Sequence, residues 1–288
     1  MKAIRRVSVV STGSVRIRPQ HVQSDGTPLA WWLNTSQRWT APRPINVYVI
    51  EHESGLILFD TGQDRRSVLD PGYFPGGVAG YLYRRLATFD IPPEATLTHR
   101  LEQLGYDIGD VRIAILSHLH QDHIGGLGEL PSSARVLVSR VDAAEGERRF
   151  AVLAGILTDH VRIPGLDWTV VSPERLASSH TAPFTEGHDV VGDGSLILLP
   201  TPGHTPGSLS LLLRDSGMAP MLFVGDLTYD VRLLEQGRVP GVGNARVLRE
   251  TTRRVNELVA RNPGMVVLAA HDPMAATLLE TATTTRAE

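Results

Sequence analysis

The chain contains no cysteine, which excludes disulfides, thiolate nucleophiles and every cysteine-bearing metal site at once. Any metal it binds must be held by imidazole and carboxylate. It has no basic surplus either. The 28 Lys and Arg residues stand against 31 Asp and Glu, a formal net charge of -3, so it carries no electrostatic footprint for nucleic acid or an anionic membrane. No apolar run approaches the roughly 20 residues that a bilayer span requires, and the opening MKAIRRVSVVSTGS passes into β-like alternation without a small-residue cleavage site. A cytoplasmic protein, mature from its first residue, is the expectation. Aromatics are few at 6%, yet three of the four tryptophans, Trp31, Trp32 and Trp39, fall in one stretch.

At 288 residues, 42% of them hydrophobic, the chain can bury a large core. Val7 to Val10, Asn46 to Ile50 and Leu56 to Phe59 read as strands, the latter two joined by Glu53-Ser54-Gly55 as a hairpin. Between the first strand and this hairpin, about residues 15 to 44 read as a long aromatic loop, of functional rather than disordered character. A Gly/Pro-rich aromatic segment, Pro71 to Tyr83, precedes a helix that starts near Thr96 or Thr98 and closes at Leu104-Gly105. Further strands are expected over Val111 to Leu116, Val136 to Val138, Thr169 to Val171, Ser195 to Leu199, Ser208 to Leu213, Met221 to Val224 and Met265 to Ala269. Helices are expected from Asp142 onward and over Ala245 to Ala260. No Ser/Gly/Pro linker separates the halves, so one domain over 1–288 is expected, with a short frayed tail from Thr281 to Glu288.

The chemistry is concentrated in Ser117-His-Leu-His-Gln-Asp-His-Ile-Gly-Gly126, directly after a buried strand. Alternate side chains His118 and His120 can project the same way as the chain leaves the sheet. Asp122 and His123 follow the turn and can face a second position, and Gly125-Gly126 permits the close turn beyond. This spacing suits two adjacent ions better than one. Further candidates sit at other strand ends: His204 within Pro200-Thr-Pro-Gly-His-Thr-Pro-Gly207, Asp226 after Met221 to Val224, and His271 after Val266 to Ala269. Five histidines and two aspartates suffice for two divalent ions with an aspartate shared. His21, His52, His99, His160, His180 and His188 lack such context and read as surface or loop histidines.

These residues resemble the metallo-β-lactamase superfamily, over about residues 45 to 272 and including Asp60-Thr61-Gly62. The resemblance implies an α/β fold of four layers, an αββα sandwich with a dinuclear site at one edge of its two sheets. It also implies a ligand split: His118, His120 and His204 on one ion, Asp122, His123 and His271 on the other, with Asp226 between. Asp60 would orient a ligand histidine. Tyr229, three residues after Asp226, resembles the tyrosine of N-acyl homoserine lactonases that reaches the substrate carbonyl region.

The expected activity is therefore that of a metal-dependent hydrolase opening a lactone ring, with N-acyl homoserine lactones as first choice and a metal-bridging hydroxide as nucleophile. Asp122 would handle the proton and Tyr229 would polarise the carbonyl. Zinc is the first choice of metal, with cobalt, manganese and iron compatible with the same donors. Trp31, Trp32 and Trp39 are the candidate acyl-binding residues, or else a homodimer contact. The alternative activities are those of another lactonase or esterase, or a glyoxalase II-like thioesterase. Neither nucleic acid nor membrane is an expected partner.

Overall fold

Strands covered on both faces read as unbroken apolar runs, and Leu56-Ile-Leu-Phe59 and Leu209-Ser-Leu-Leu-Leu213 have that form. In the computed structural model, which describes residues 3–176, 179–215 and 217–284, both are strands packed on two sides. The first sheet is built from β1 (Ile4–Ile17), β2 (Arg43–His52), β3 (Gly55–Phe59), β4 (Ala87–Asp90), β5 (Val111–Ile115), β6 (Arg135–Ser139) and β7 (Asp167–Val171). The second is built from β8 (Glu174–Arg175), β9 (Glu186–Asp189), β10 (Leu196–Pro200), β11 (Leu209–Leu213), β12 (Met221–Phe223) and β13 (Val266–Leu268). Their orders are β4-β1-β2-β3-β5-β6-β7 and β13-β12-β11-β10-β9-β8.

The period-2 alternation of side chains distributes these strands among three apolar layers. Ile57, Phe59, Leu211 and Leu213 point between the sheets, where they meet Tyr48, Leu198 and Phe223. Leu58, in the opposite phase, packs with Val49 and Val136 beneath the helix Leu97–Gln103 through Leu97 and Leu101. Leu212 and Leu222 pack likewise beneath the 17-residue helix Ala245–Arg261 through Leu248, Val255 and Leu258. The result is the four-layer αββα sandwich. Each fully buried Leu, Ile or Phe contributes about 1.5–3 kcal/mol relative to exposure.

The connectivity gathers strand ends. β3, β5 and β6 run parallel, as do β12 and β13, so the residues following β3 and β5, and those following β12 and β13, emerge along shared edges. The Leu209 N–H donates to the Ser117 carbonyl at 2.8 Å, tying the two edges together.

Three expectations are corrected. The stretch expected as a loop over 15–44 holds the end of β1, the short helix Pro19–Val22, the helix Leu29–Thr35 and the start of β2. Gly13, at φ 125°, lets β1 bend, and beyond the register shift at Ser11 to Ser14 it pairs with both β2 and β4. That bend masks the strand's continuation in the sequence. The segment Pro71 to Tyr83 likewise runs into a helix, Gly77–Leu86, and the tail continues as helix Ala275–Thr284, with Ala275, Leu279 and Ala282 buried between the sheets. Residues 285–288 of the expected frayed tail lie outside the described residues.

Candidate metal centre

His118 to His123 leave the end of β5 and open the short helix Gln121–Ile124. The Leu116 N–H donates to Leu137 O at 3.0 Å and the His123 N–H to His120 O at 3.0 Å, which fixes the direction in which each ring leaves the edge. His204 is positioned by its rigid turn. Gly203, at φ 144°, leaves no room for a Cβ against Leu248, and its carbonyl accepts from the Asn244 N–H at 2.7 Å. On the other flank Asp142 accepts from Thr205 Oγ1 at 3.1 Å and the Gly207 N–H at 3.0 Å. Asp226 lies in the single 3-10 turn after β12, and His271 follows β13. All seven residues named from the sequence meet at one edge.

Three overlapping groups of donors result: His118, His120 and His204, then Asp122, His123 and His271, with His118, His123 and Asp226 joining them. His118 Nε2 and His204 Nε2 each lie 3.0 Å from His120 Nδ1. In the second group, His271 Nε2 lies 3.5 Å from Asp122 Oδ2 and His123 Nε2 lies 3.9 Å from Asp122 Oδ1. Asp226 spans both: its Oδ2 is 3.5 Å from His204 Nε2, and its Oδ1 is 3.4 Å from both His123 Nε2 and His271 Nε2.

The outer partners set the tautomers. His123 Nδ1 faces Asp60 Oδ2 at 2.8 Å, His120 Nε2 faces Ala154 O at 3.0 Å, and His271 Nδ1 faces Pro44 O at 2.9 Å. Each partner can only accept, so each of these nitrogens carries the proton. Ser117 Oγ donates to Asp60 Oδ2 at 2.9 Å and therefore accepts from His118 Nδ1 at 3.0 Å. Four imidazoles thus turn bare lone pairs inward, toward two carboxylates. Asp60 anchors this arrangement at φ 64°, an uncommon conformation that Asp tolerates better than most residues.

Divalent cations fit this donor set. Among the described residues His123 Nε2 and Asp226 Oδ1 are sealed from solvent without a hydrogen-bond partner, and lone pairs facing one another at 3 Å repel unless a cation lies among them. Burial, reinforced for His118 by the neighbouring rings, holds His118 and His204 well below the usual histidine pKa, so both stay neutral. Burial also disfavours a charged His123, but Asp226 and Asp60 outweigh it and raise that pKa well above the ordinary value. Positive charge is what the inner face of His123 lacks.

The centre forms the floor of a cavity of about 320 Å³, walled by Val15, Ile17, Leu86, Leu153, Ile156 and Val242 among others. Among the described residues no lysine or arginine lines it. Tyr229 is 2% exposed, stacks on His271 at 5.5 Å and donates its hydroxyl to Asp226 Oδ2 at 2.6 Å.

The three tryptophans are not on the cavity wall. Trp31 is 65% exposed, Trp32 is buried beside His21, and Trp39 lies under the Arg18 guanidinium at 3.5 Å. Their segment supplies His21 and Leu29 to the wall instead. His21 and His52, read from the sequence as surface or loop residues, are both buried, His52 against Asp193 and Ser195. His188 lies away from the centre, beside Pro200 and Leu198. Arg43, not among the residues named from the sequence, also braces the site: its Nη1 donates to Tyr229 O at 2.6 Å and His271 O at 3.3 Å. An arginine between two prolines carries no signal of such a role, whereas Gln121, which also lines the cavity, sits inside the motif itself.

Residues 40–271 match the family model described as the metallo-beta-lactamase superfamily. Among similar proteins, the N-acyl homoserine lactonase AttM of Rhizobium johnstonii is 29% identical over 238 residues, covering 81% of this chain and 83% of that protein. The probable metallo-hydrolase Rv2300c of Mycobacterium tuberculosis is 30% identical over 245 residues, covering 79% of this chain and 74% of that one. A solved structure of a B. thuringiensis AiiA mutant with N-decanoyl-L-homoserine at its active site superposes with a TM-score of 0.74 at 23% identity, covering 94% of each chain. Family match, fold and donor cluster agree: the chain belongs to the metallo-beta-lactamase superfamily, as a metal-dependent hydrolase.

Proposed function

We propose that the protein opens the ring of N-acyl homoserine lactones. The observation that carries this reading is the joining, in one cavity, of the seven-residue donor cluster, the Tyr229 hydroxyl and an apolar wall to which the described residues bring no cationic side chain. Relatives named N-acyl homoserine lactonases support it. His118, His120 and His204 would hold one divalent ion and Asp122, His123 and His271 another, with Asp226 available to both and zinc as first choice. Such ions supply Lewis acidity and lower the pKa of a water to about 7.

The chain's own groups do the rest. Tyr229, on the cavity wall, exchanges its bond to Asp226 for one to the substrate carbonyl oxygen as charge grows there. Asp122, half-buried at the cavity floor, accepts a proton and returns it to the alkoxide as the ring opens. The apolar wall receives the acyl chain and excludes water. A glutathione thioester, the substrate of the alternative reading, brings carboxylates that find no lysine or arginine here.

The test is hydrolysis by zinc-loaded protein of N-acyl homoserine lactones with short and long acyl chains, beside a simple γ-lactone and a glutathione thioester. Homoserine lactones are expected to turn over fastest, and His120→Ala with Asp122→Asn to abolish turnover. Faster cleavage of the thioester would discard the assignment, and equal rates for the double variant would discard catalysis at this centre.

A further inference from the structure

The cavity has a polar wall that the ring-opening chemistry leaves unused. His21 and Gln121 are 9% and 7% exposed, and both line the cavity with Tyr83. His21 Nδ1, Gln121 Oε1 and the Tyr83 hydroxyl are all buried without a hydrogen-bond partner among the described residues. An unpaired buried polar group costs stability until something supplies the missing bond. A turn about the last torsion of His21 or Gln121, where the energy surface is broad, brings the unpaired atom to the cavity surface.

These groups lie together. The His21 ring meets Tyr229 edge-on at 5.1 Å, and Tyr229 in turn stacks on His271. His21 therefore stands one ring further from the donor cluster than Tyr229. Gln121 is the neighbour of Asp122 in the chain, and Tyr83 lines the same cavity as both. The three polar groups thus share one cavity with Tyr229 and with the donor cluster on its floor. They are also uncharged: burial holds His21 at a pKa of about 4, so it is neutral at pH 7 and offers one donor and one acceptor. An anionic substituent would find no counter-ion among the described lining residues, whereas an amide or ketone would find donors and acceptors.

Resting on the lactone reading, we infer that His21, Tyr83 and Gln121 form a specificity subsite for an uncharged hydrogen-bonding group, an amide or ketone, carried beside the scissile ester. Such a site rejects a ligand lacking that group because its own polar atoms then stay unpaired. The three are specificity-determining residues and touch no bond that breaks.

The experiment compares N-hexanoyl homoserine lactone with a γ-alkyl lactone of equal chain length but no amide, on zinc-loaded wild-type, Tyr83→Phe, Gln121→Met and His21→Leu proteins. The wild type is expected to favour the amide substrate by about tenfold or more in kcat/KM, mainly through KM. Each variant should shrink that ratio by roughly three- to tenfold. Tyr83→Phe keeps the ring that packs on Phe74 at 5.5 Å, so its ratio is read on a folded protein. A ratio unchanged in every variant, or absent in the wild type, overturns the inference. Calorimetric binding of the two ring-opened products separates this failure from that of the lactonase assignment. If neither lactone is hydrolysed the assignment falls. The subsite then stands if the amide product binds about tenfold tighter and Tyr83→Phe removes the difference, and equal binding overturns it.

Discussion

Asp60 sets much of the donor cluster's geometry without belonging to it. Its two oxygens accept from the Ser117 N–H at 2.7 Å, Ser117 Oγ and His123 Nδ1, and through Ser117 it also sets His118. Asn accepts the same φ of 64° but offers one acceptor oxygen where the carboxylate offers two. Asp60→Asn should therefore fold yet bind zinc about 10–100-fold more weakly, as measured by competition with a chromophoric chelator. Tyr229→Phe removes a hydroxyl and keeps the ring on His271. We expect kcat for lactone opening to fall about 10–100-fold with metal content unchanged, and an unaltered kcat would remove Tyr229 from the chemistry.

Asp142 tests the electrostatics at the same scale. Burial raises its pKa to about 6, against the pull of the Thr205 and Gly207 bonds. Between about pH 4 and 6 the folded state thus holds a proton that the unfolded chain has released, and stability falls as pH rises through that window. At about 1.4 kcal/mol per unit, the span is roughly 3 kcal/mol at most. Asp142→Asn should remove this slope. In chelated protein, the denaturation free energy of wild type minus variant should decline from pH 4 to 6 and then level; a rise would contradict the raised pKa.

Among the elements, the helix Ala245–Arg261 does more than cover a sheet. Its Asn244 cap accepts from the Arg246 and Val247 N–H groups, its Thr251 Oγ1 donates to Pro202 O at 2.6 Å, and Leu248 closes on Gly203. Helix and His204 turn are thus one unit. Asn244→Ala should cost about 1 kcal/mol, a drop in Tm of roughly 2–4 °C, and should loosen the first donor group before the second. Thermal scans with metal analysis would register both, and an unchanged Tm would show that the cap is dispensable. β1 illustrates the opposite case of an element whose role is hidden locally. Its bend at Gly13 carries Val15 and Ile17 into the cavity wall, which alternation alone does not announce.

For the whole molecule, the donors come from the ends of strands in both sheets, so bound ions couple the two halves. Removing them leaves inward lone pairs and carboxylates facing one another, and binding to the folded state alone stabilises it by about 4 kcal/mol at a thousandfold excess over Kd. Treatment with EDTA should lower Tm by on the order of 10 °C, and added zinc should restore it. A Tm indifferent to EDTA would show that the cluster binds no ion of consequence.

What the sequence determined by itself was the chemistry and its address. With no cysteine, an H-x-H-x-D-H run after an apolar strand and ligand-type residues at later strand ends leave little else to form, because strand periodicity and turn residues act over a few positions and are legible there. Individual strands such as Leu56 to Phe59 were legible for the same reason, whereas the four-layer arrangement was expected only through the resemblance that the ligand motif carries. Only the tertiary structure decided which ring nitrogens face inward, since Pro44, Asp60 and Ala154 reach their histidines from far along the chain. It alone also placed His21 and Tyr83 on the cavity wall and Trp31 in solvent. Burial of a single side chain depends on what distant segments bring against it, and no local pattern encodes that.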